Sequence, residues 1–198
     1  MSSRRSPTGK PAAGPWALVV AVLLLAWPLA GGARGVYLTA EEFLAQAFGS
    51  VAPQPATLWL SDDVKRRAAA ILDHPPTQLR VRYWRAGGRT AWILDEIGKT
   101  HPITIGVVVE RGAVADICVL EFRESRGDEV RLPFFTGQFR GVGLRPDAGR
   151  RLDRAIDGIT GATLSVRAME RVARLALYFH GQVAPEASGS VSHAGNAE

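Results

Sequence analysis

Cysteine is almost absent: the 198-residue chain has one, Cys118. That excludes an intramolecular disulfide framework and any Cys-rich zinc or iron–sulfur site built by this chain alone. The sequence also lacks Cys-x-x-Cys-His, so no c-type haem attaches here. HxxxH, CxxC and carboxylate clusters are missing, and no metal site is expected. His74, His101, His180 and His193 fit no triad motif and read as surface or loop positions. No internal repeat is present. Acids are missing from the first 34 residues; all 19 follow Gly35. Of the 24 basic residues, Arg4, Arg5, Lys10 and Arg34 precede Gly35, which leaves the remainder with a net charge of +1. The overall +5 and the pI near 10.0 are therefore largely a feature of the N-terminus, and nucleic acid is not an expected partner.

What is there begins with an uncharged run from Pro11 to Ala33, whose centre, Trp16 to Ala30, is nearly all apolar. Basic residues lie ahead of the run, so the positive-inside rule keeps the N-terminus in the cytoplasm and sends the rest outside. The apolar centre is shorter than the ~20 residues of a full span. Gly31-Gly32-Ala33 suits signal-peptidase cleavage. A cleaved signal peptide and a retained anchor both fit residues 1–34. The expected location is the extracytoplasmic face of the bacterial cytoplasmic membrane, anchored or secreted.

Thr39 and Glu42 have capping-box spacing and open a short helix that Gly49 stops. Val51 to Pro55 reads as a Pro-bearing connector. Ser61-Asp62-Asp63 reads as an N-cap with first-turn acids, beginning a helix that runs to Leu72 and ends at His74-Pro75-Pro76. The period then changes from helical to alternating. Leu79–Tyr83 and Arg89–Ile97 flank a Gly87-Gly88 hairpin, and Ile103–Glu110 and Ala113–Arg123 flank Arg111-Gly112. The expectation is an antiparallel sheet of about four strands with Cys118 a packed, inert thiol. An Arg-rich loop runs from Arg140 to Arg154. Val166, Met169, Val172, Ala173 and Ala176 recur at helical spacing, so a last amphipathic helix follows. The fold class is α+β, an antiparallel β-sheet with packed helices. The divisions are 1–34 for export, 35–78 for a helical part, 79–180 for the main domain and 181–198 for a disordered, Gly- and Ser-rich tail.

Chemistry concentrates in Asp157-Gly-Ile-Thr-Gly-Ala-Thr-Leu-Ser165, directly ahead of the last helix. Gly158, Gly161 and Ala162 let a backbone approach a bulky group. Thr160, Thr163 and Ser165 bring hydroxyls to a helix start, whose free N–H groups and positive dipole end suit a phosphate. On composition alone, Thr160 or Thr163 also reads as a simple N-cap after a Gly turn.

Asp157-Gly158-Ile159-Thr160-Gly161-Ala162-Thr163 resembles the flavinylation motif, Asp-x-x-(Ser/Thr)-Gly-Ala-Thr, of the FMN-binding domain family. That family includes covalently flavinylated components of the sodium-pumping NADH:quinone oxidoreductase and of the Rnf complex. Glu124-Ser-Arg-Gly127 is similar to the family's Glu-Thr-Pro-Gly stretch at Glu124 and Gly127 alone. The resemblance runs from about Thr90 to Phe179. It implies that a flavin transferase, using FAD, joins FMN through its phosphate to Thr163. It further implies an electron carrier or membrane oxidoreductase subunit with a membrane-bound redox partner, and no acid–base machinery for turnover. The site residues implied are Thr163, Asp157, Gly158, Ile159, Thr160, Gly161, Ala162, Leu164, Ser165, Glu124 and Gly127. Trp84, Trp92, Phe134 and Phe135 are flavin-stacking candidates, though core packing is the commoner role for each. The Arg140–Arg154 run is a solvated face or a second hold on the phosphate. The alternative function is a flavin-free extracytoplasmic binding or assembly module of a membrane redox complex. A hydrolase acting through Thr163 ranks last.

Overall fold

The structure, a computed structural model, describes residues 35–146 and 151–184. The export segment expected over residues 1–34 and most of the expected tail lie outside them. No helix among the described residues is long and apolar enough to cross a membrane.

Strand β1 is Gly35–Val36, and helix α1 is Ala40–Phe48. The Thr39 capping box is complete: its hydroxyl accepts from the Glu42 amide at 3.2 Å, and its own amide donates to Glu42 at 2.8 Å. Strand β2, Gln54–Trp59, follows, then helix α2, Asp62–Leu72, with Ser61 as N-cap. Strands β3 (Arg80–Ala86), β4 (Arg89–Ile97), β5 (Pro102–Glu110) and β6 (Ala113–Phe122) form the two expected hairpins. Short 3₁₀ segments flank helix α3, Pro133–Thr136, and helix α4 runs from Thr163 to Val183.

The fold is α+β. The six strands among the described residues join one antiparallel sheet in the order β1-β6-β5-β4-β3-β2. The sequence led to about four strands, and the two extra ones are its edges. Strand β1 has two residues, too few to carry a period, and exists only because it pairs with β6. Strand β2 begins within residues 51–55, the stretch whose prolines led to a connector being expected; an edge strand tolerates Pro55 because its outer side needs no donor. Helix α4 also passes Gly181, where the tail was expected to start, and continues to Val183.

Helix α4 lies across β4 and β5 and buries Val166, Met169, Val172, Ala173, Ala176 and Phe179 against Ile105, Val107 and Trp92. On the opposite face, α1 closes a smaller cluster of Phe43, Ala47, Phe48, Ala91, Val108 and Leu120. Phe43 rests on Gly106, where an added Cβ would lie 2.7 Å from its ring. The main core carries polar links as well. Trp92 Nε1 donates to Thr90 Oγ1 at 2.9 Å, and that hydroxyl lies 2.8 Å from His180 Nδ1. His180 is thus a buried core residue, not a surface one, and burial depresses its pKa. Glu96, also buried, accepts from Arg171 of α4 at 3.3 Å and lies 3.2 Å from His74 Nε2 beyond α2. Cys118 is half-buried and its pKa is pushed up to about 12, chiefly by burial, as expected of an inert thiol.

Candidate functional site

The end of the sheet where β4 turns into β5 and β6 terminates sits beside the start of α4. Glu124 makes this meeting specific. It follows β6 and turns its carboxylate into the β4–β5 turn, where Oε1 accepts from the main-chain amides of Lys99, Thr100 and His101 at 2.6, 2.5 and 2.8 Å. Burial alone would raise the pKa of this carboxyl, which is 4% exposed. The His101, Thr100 and Lys99 amides outweigh burial and bring it to about 2. Glu124 is therefore the anchor of a turn, and that turn carries Lys99 to the helix.

Gly127 joins the same loop to α4. Its φ is +90°, and an added Cβ would lie 2.7 Å from Ser165 Oγ and 3.4 Å from Ala162 Cβ. Two requirements coincide there, a left-handed backbone and contact with a neighbouring element. Ser165, buried beneath Gly127, belongs to this packing.

The approach to α4 is a turn over Ile159–Ala162, closed by the Ala162 amide donating to the Ile159 carbonyl at 3.0 Å. Gly161 occupies its third position with φ +85°, as a type II turn demands. An added Cβ there would meet nothing within 4 Å, so the turn is open to solvent. Ala162 is the N-cap residue, and no side chain caps the helix. Thr163 is the first helical residue and is exposed. The N-cap role that composition allowed for Thr160 or Thr163 is not taken by either hydroxyl. The first-turn amides of α4 are thus left for a ligand or for water.

Glu124, Ser125, Arg126, Lys99 and residues 161–165 line one open cleft of about 340 Å³, within the range of ligand sites. Two cations, an uncapped helix start and an exposed hydroxyl suit a phosphate ester. Leu164, 42% exposed, adds an apolar wall. Of the residues singled out in sequence, Glu124, Gly161, Ala162, Thr163, Leu164 and Ser165 meet here, with Gly127 directly behind. Asp157, Gly158, Ile159 and Thr160 do not line the cleft. Asp157 is exposed, and its main-chain amide donates to Gln138 Oε1 at 2.7 Å. Ile159 packs against the main core.

The aromatic candidates separate cleanly. Trp92 and Phe135 are wholly buried, Trp84 packs against the α1 cluster, and Phe134 is 62% exposed; none lines the cleft. Sequence reasoning missed Lys99, Ser125 and Arg126. Ser125 and Arg126 occupy the two unmatched positions between Glu124 and Gly127, and Lys99 sits in a turn that Gly98 and Pro102 bracket but whose place beside α4 no local signal marks. The Arg-rich loop contributes no described residue to the cleft; Arg140 pairs with Asp116 at 3.3 Å.

The family model for the FMN-binding domain matches residues 98–178, from the β4–β5 turn through most of α4. No curated protein matches the chain.

Proposed function

Since residues 98–178 match an FMN-binding domain, we propose that this protein is an extracytoplasmic electron carrier whose FMN is joined through its phosphate to Thr163. The observation that carries the reading is the position of Thr163. It is exposed, heads an uncapped helix, and shares a cleft with Lys99 and Arg126. This donor set fits a phosphodiester, which retains one negative charge for the cations and the helix dipole to offset. The isoalloxazine, when bound, supplies one- and two-electron chemistry, and the chain tunes it by burial and hydrogen bonding.

In the attachment step, Thr163 Oγ forms a bond to the phosphorus of the FMN half of FAD. The pyrophosphate bond breaks, AMP leaves, and the hydroxyl proton passes to a base of the transferase. The open turn at Gly161 gives that second protein room to approach. Outside the cytoplasm a dissociated cofactor is lost, and a covalent bond removes that loss. Asp157, exposed beside the turn, is in this reading part of what the transferase recognises. The electrons pass to or from a membrane-bound redox partner.

The test is coexpression with a flavin transferase of demonstrated activity. The wild-type chain should fluoresce as a band in a denaturing gel under ultraviolet light and gain the mass of FMN less one water. Without the transferase neither should appear. A wild-type chain that stays unlabelled beside a labelled control substrate would leave the flavin-free assembly module as the better reading.

A further inference from the structure

The far edge of the sheet has the chemistry of a docking strand. Strand β2, Gln54–Trp59, is last in the sheet order, and among the described residues nothing pairs with its outer side. Edge strands are ordinarily blunted by charge, bulges or brevity. This one has six residues, no charge and a regular register with β3; Pro55 is its one protective device. The Leu60 amide donates inward to the Leu79 carbonyl at 3.0 Å. By the period of two, the amides of Thr57 and Trp59 point outward.

The face beside that edge is basic and aromatic. Thr57 stands opposite Arg82 on β3, and Trp59 opposite Arg80. Both arginines are exposed, and among the described residues neither has a carboxylate partner. Arg80 lies over the Trp59 ring at 5.6 Å, and Trp59 remains 66% exposed. Asp95, two residues beyond Ile93 on β4, binds Thr104 and Arg123 instead. The ladder between β3 and β4 begins only at Tyr83–Trp92, so Arg80 and Arg82 border a groove of about 440 Å³ that also touches Thr57 and Trp84. Thr57 is short enough for the Arg82 guanidinium to reach across β2 toward an added strand.

We propose that β2 accepts an extended, acidic segment of a partner protein by strand addition. Main-chain hydrogen bonds to Thr57 and Trp59 would hold it, and Arg80 and Arg82 would select acidic side chains on the shared face. A second copy of this chain is disfavoured because edge-to-edge pairing sets two unneutralised basic faces side by side. The proposal does not depend on flavin.

The probe is a fluorescein-labelled peptide of alternating Glu and Val, compared with its Lys–Val counterpart and with a Glu–Val peptide N-methylated at alternate residues. Anisotropy titrations with the full chain should show the Glu–Val peptide binding at least about tenfold tighter than either. The double reversal Arg80→Glu/Arg82→Glu should cost about tenfold or more in Kd and lessen the salt dependence. Thr57→Pro removes an outward amide and spares the β2–β3 ladder, and should also weaken binding by about tenfold. The N-methylated peptide asks the same question should that variant fail to fold. Equal binding of all three peptides would overturn the proposal. So would concentration-dependent dimers abolished by Thr57→Pro, which would make a second copy the occupant. Charge-dependent binding to phosphatidylglycerol vesicles without peptide binding would assign the face to a membrane and overturn it as well.

Discussion

Thr163 and Gly127 show how different two residues of one site can be. The Thr163 hydroxyl is exposed and does not cap α4. Removing it should therefore barely change stability, by about 0.5 kcal/mol or less, as at other surface positions. Thr163→Ala should lose the covalent fluorescent band while its urea midpoint stays near that of wild type. Retention of the flavin mass adduct would refute the attachment residue. Thr163→Ser should keep some labelling, since it presents the same nucleophile. Gly127 is the reverse case. Gly127→Ala places a Cβ 2.7 Å from Ser165 Oγ at a φ of +90°. The expected loss is about 1–3 kcal/mol by chemical denaturation. Adding Ser165→Ala should recover the steric part and leave the backbone part. Full recovery in the double variant would show that φ costs nothing there.

At the scale of the element, the β4–β5 turn is held by one carboxylate. Glu124 is pulled from an ordinary 4.5 down to about 2, against burial, by the amides of His101, Thr100 and Lys99. A carboxyl whose folded pKa lies below its unfolded value stabilises the fold above the unfolded pKa. That contribution is lost as pH falls through the folded one. For Glu124 it should be fully present above about pH 5 and fade between pH 4.5 and pH 2. Glu124→Gln keeps the shape and removes the charge. It should cost roughly 2–3 kcal/mol at pH 7, as charge-assisted hydrogen bonds do. The gap between wild type and variant in urea-derived stability should narrow steadily as pH falls toward 2. A gap that does not change with pH would mean the turn is held by shape alone. Because the turn carries Lys99 into the cleft, the variant should also be labelled more slowly.

The described residues form one sheet with two unequal faces. The large core under α4 supports the cleft, whereas α1 closes a smaller cluster across the sheet around Phe43. Phe43→Ala leaves a void over Gly106 and should cost about 3 kcal/mol or more. In a domain of this size the melting temperature should drop by roughly 10 °C. Below that temperature the cleft should survive, and labelling of Thr163 should proceed at the wild-type rate. Labelling that falls in step with stability would show that the two faces do not act separately.

Much of this was legible along the chain because the governing physics is local. Capping at Thr39 and Ser61, the alternation of β3 to β6, and the small-residue turn ahead of α4 depend on neighbours within a few positions. They mark the elements and the loop that holds Thr163. The edges of the sheet were not legible, since β1 and β2 gain their strand character from partners far along the chain. Nor was the company Thr163 keeps. Glu124 reaches 25 residues back to the Lys99 amide, and Gly127 meets Ser165 across the join of loop and helix. The sequence alone determined which loop offers a hydroxyl at a helix start. Only the tertiary structure decided that Lys99 and Arg126 share its cleft, and that Trp92 and Phe135 serve the core instead, because proximity across the fold is set by packing and not by spacing.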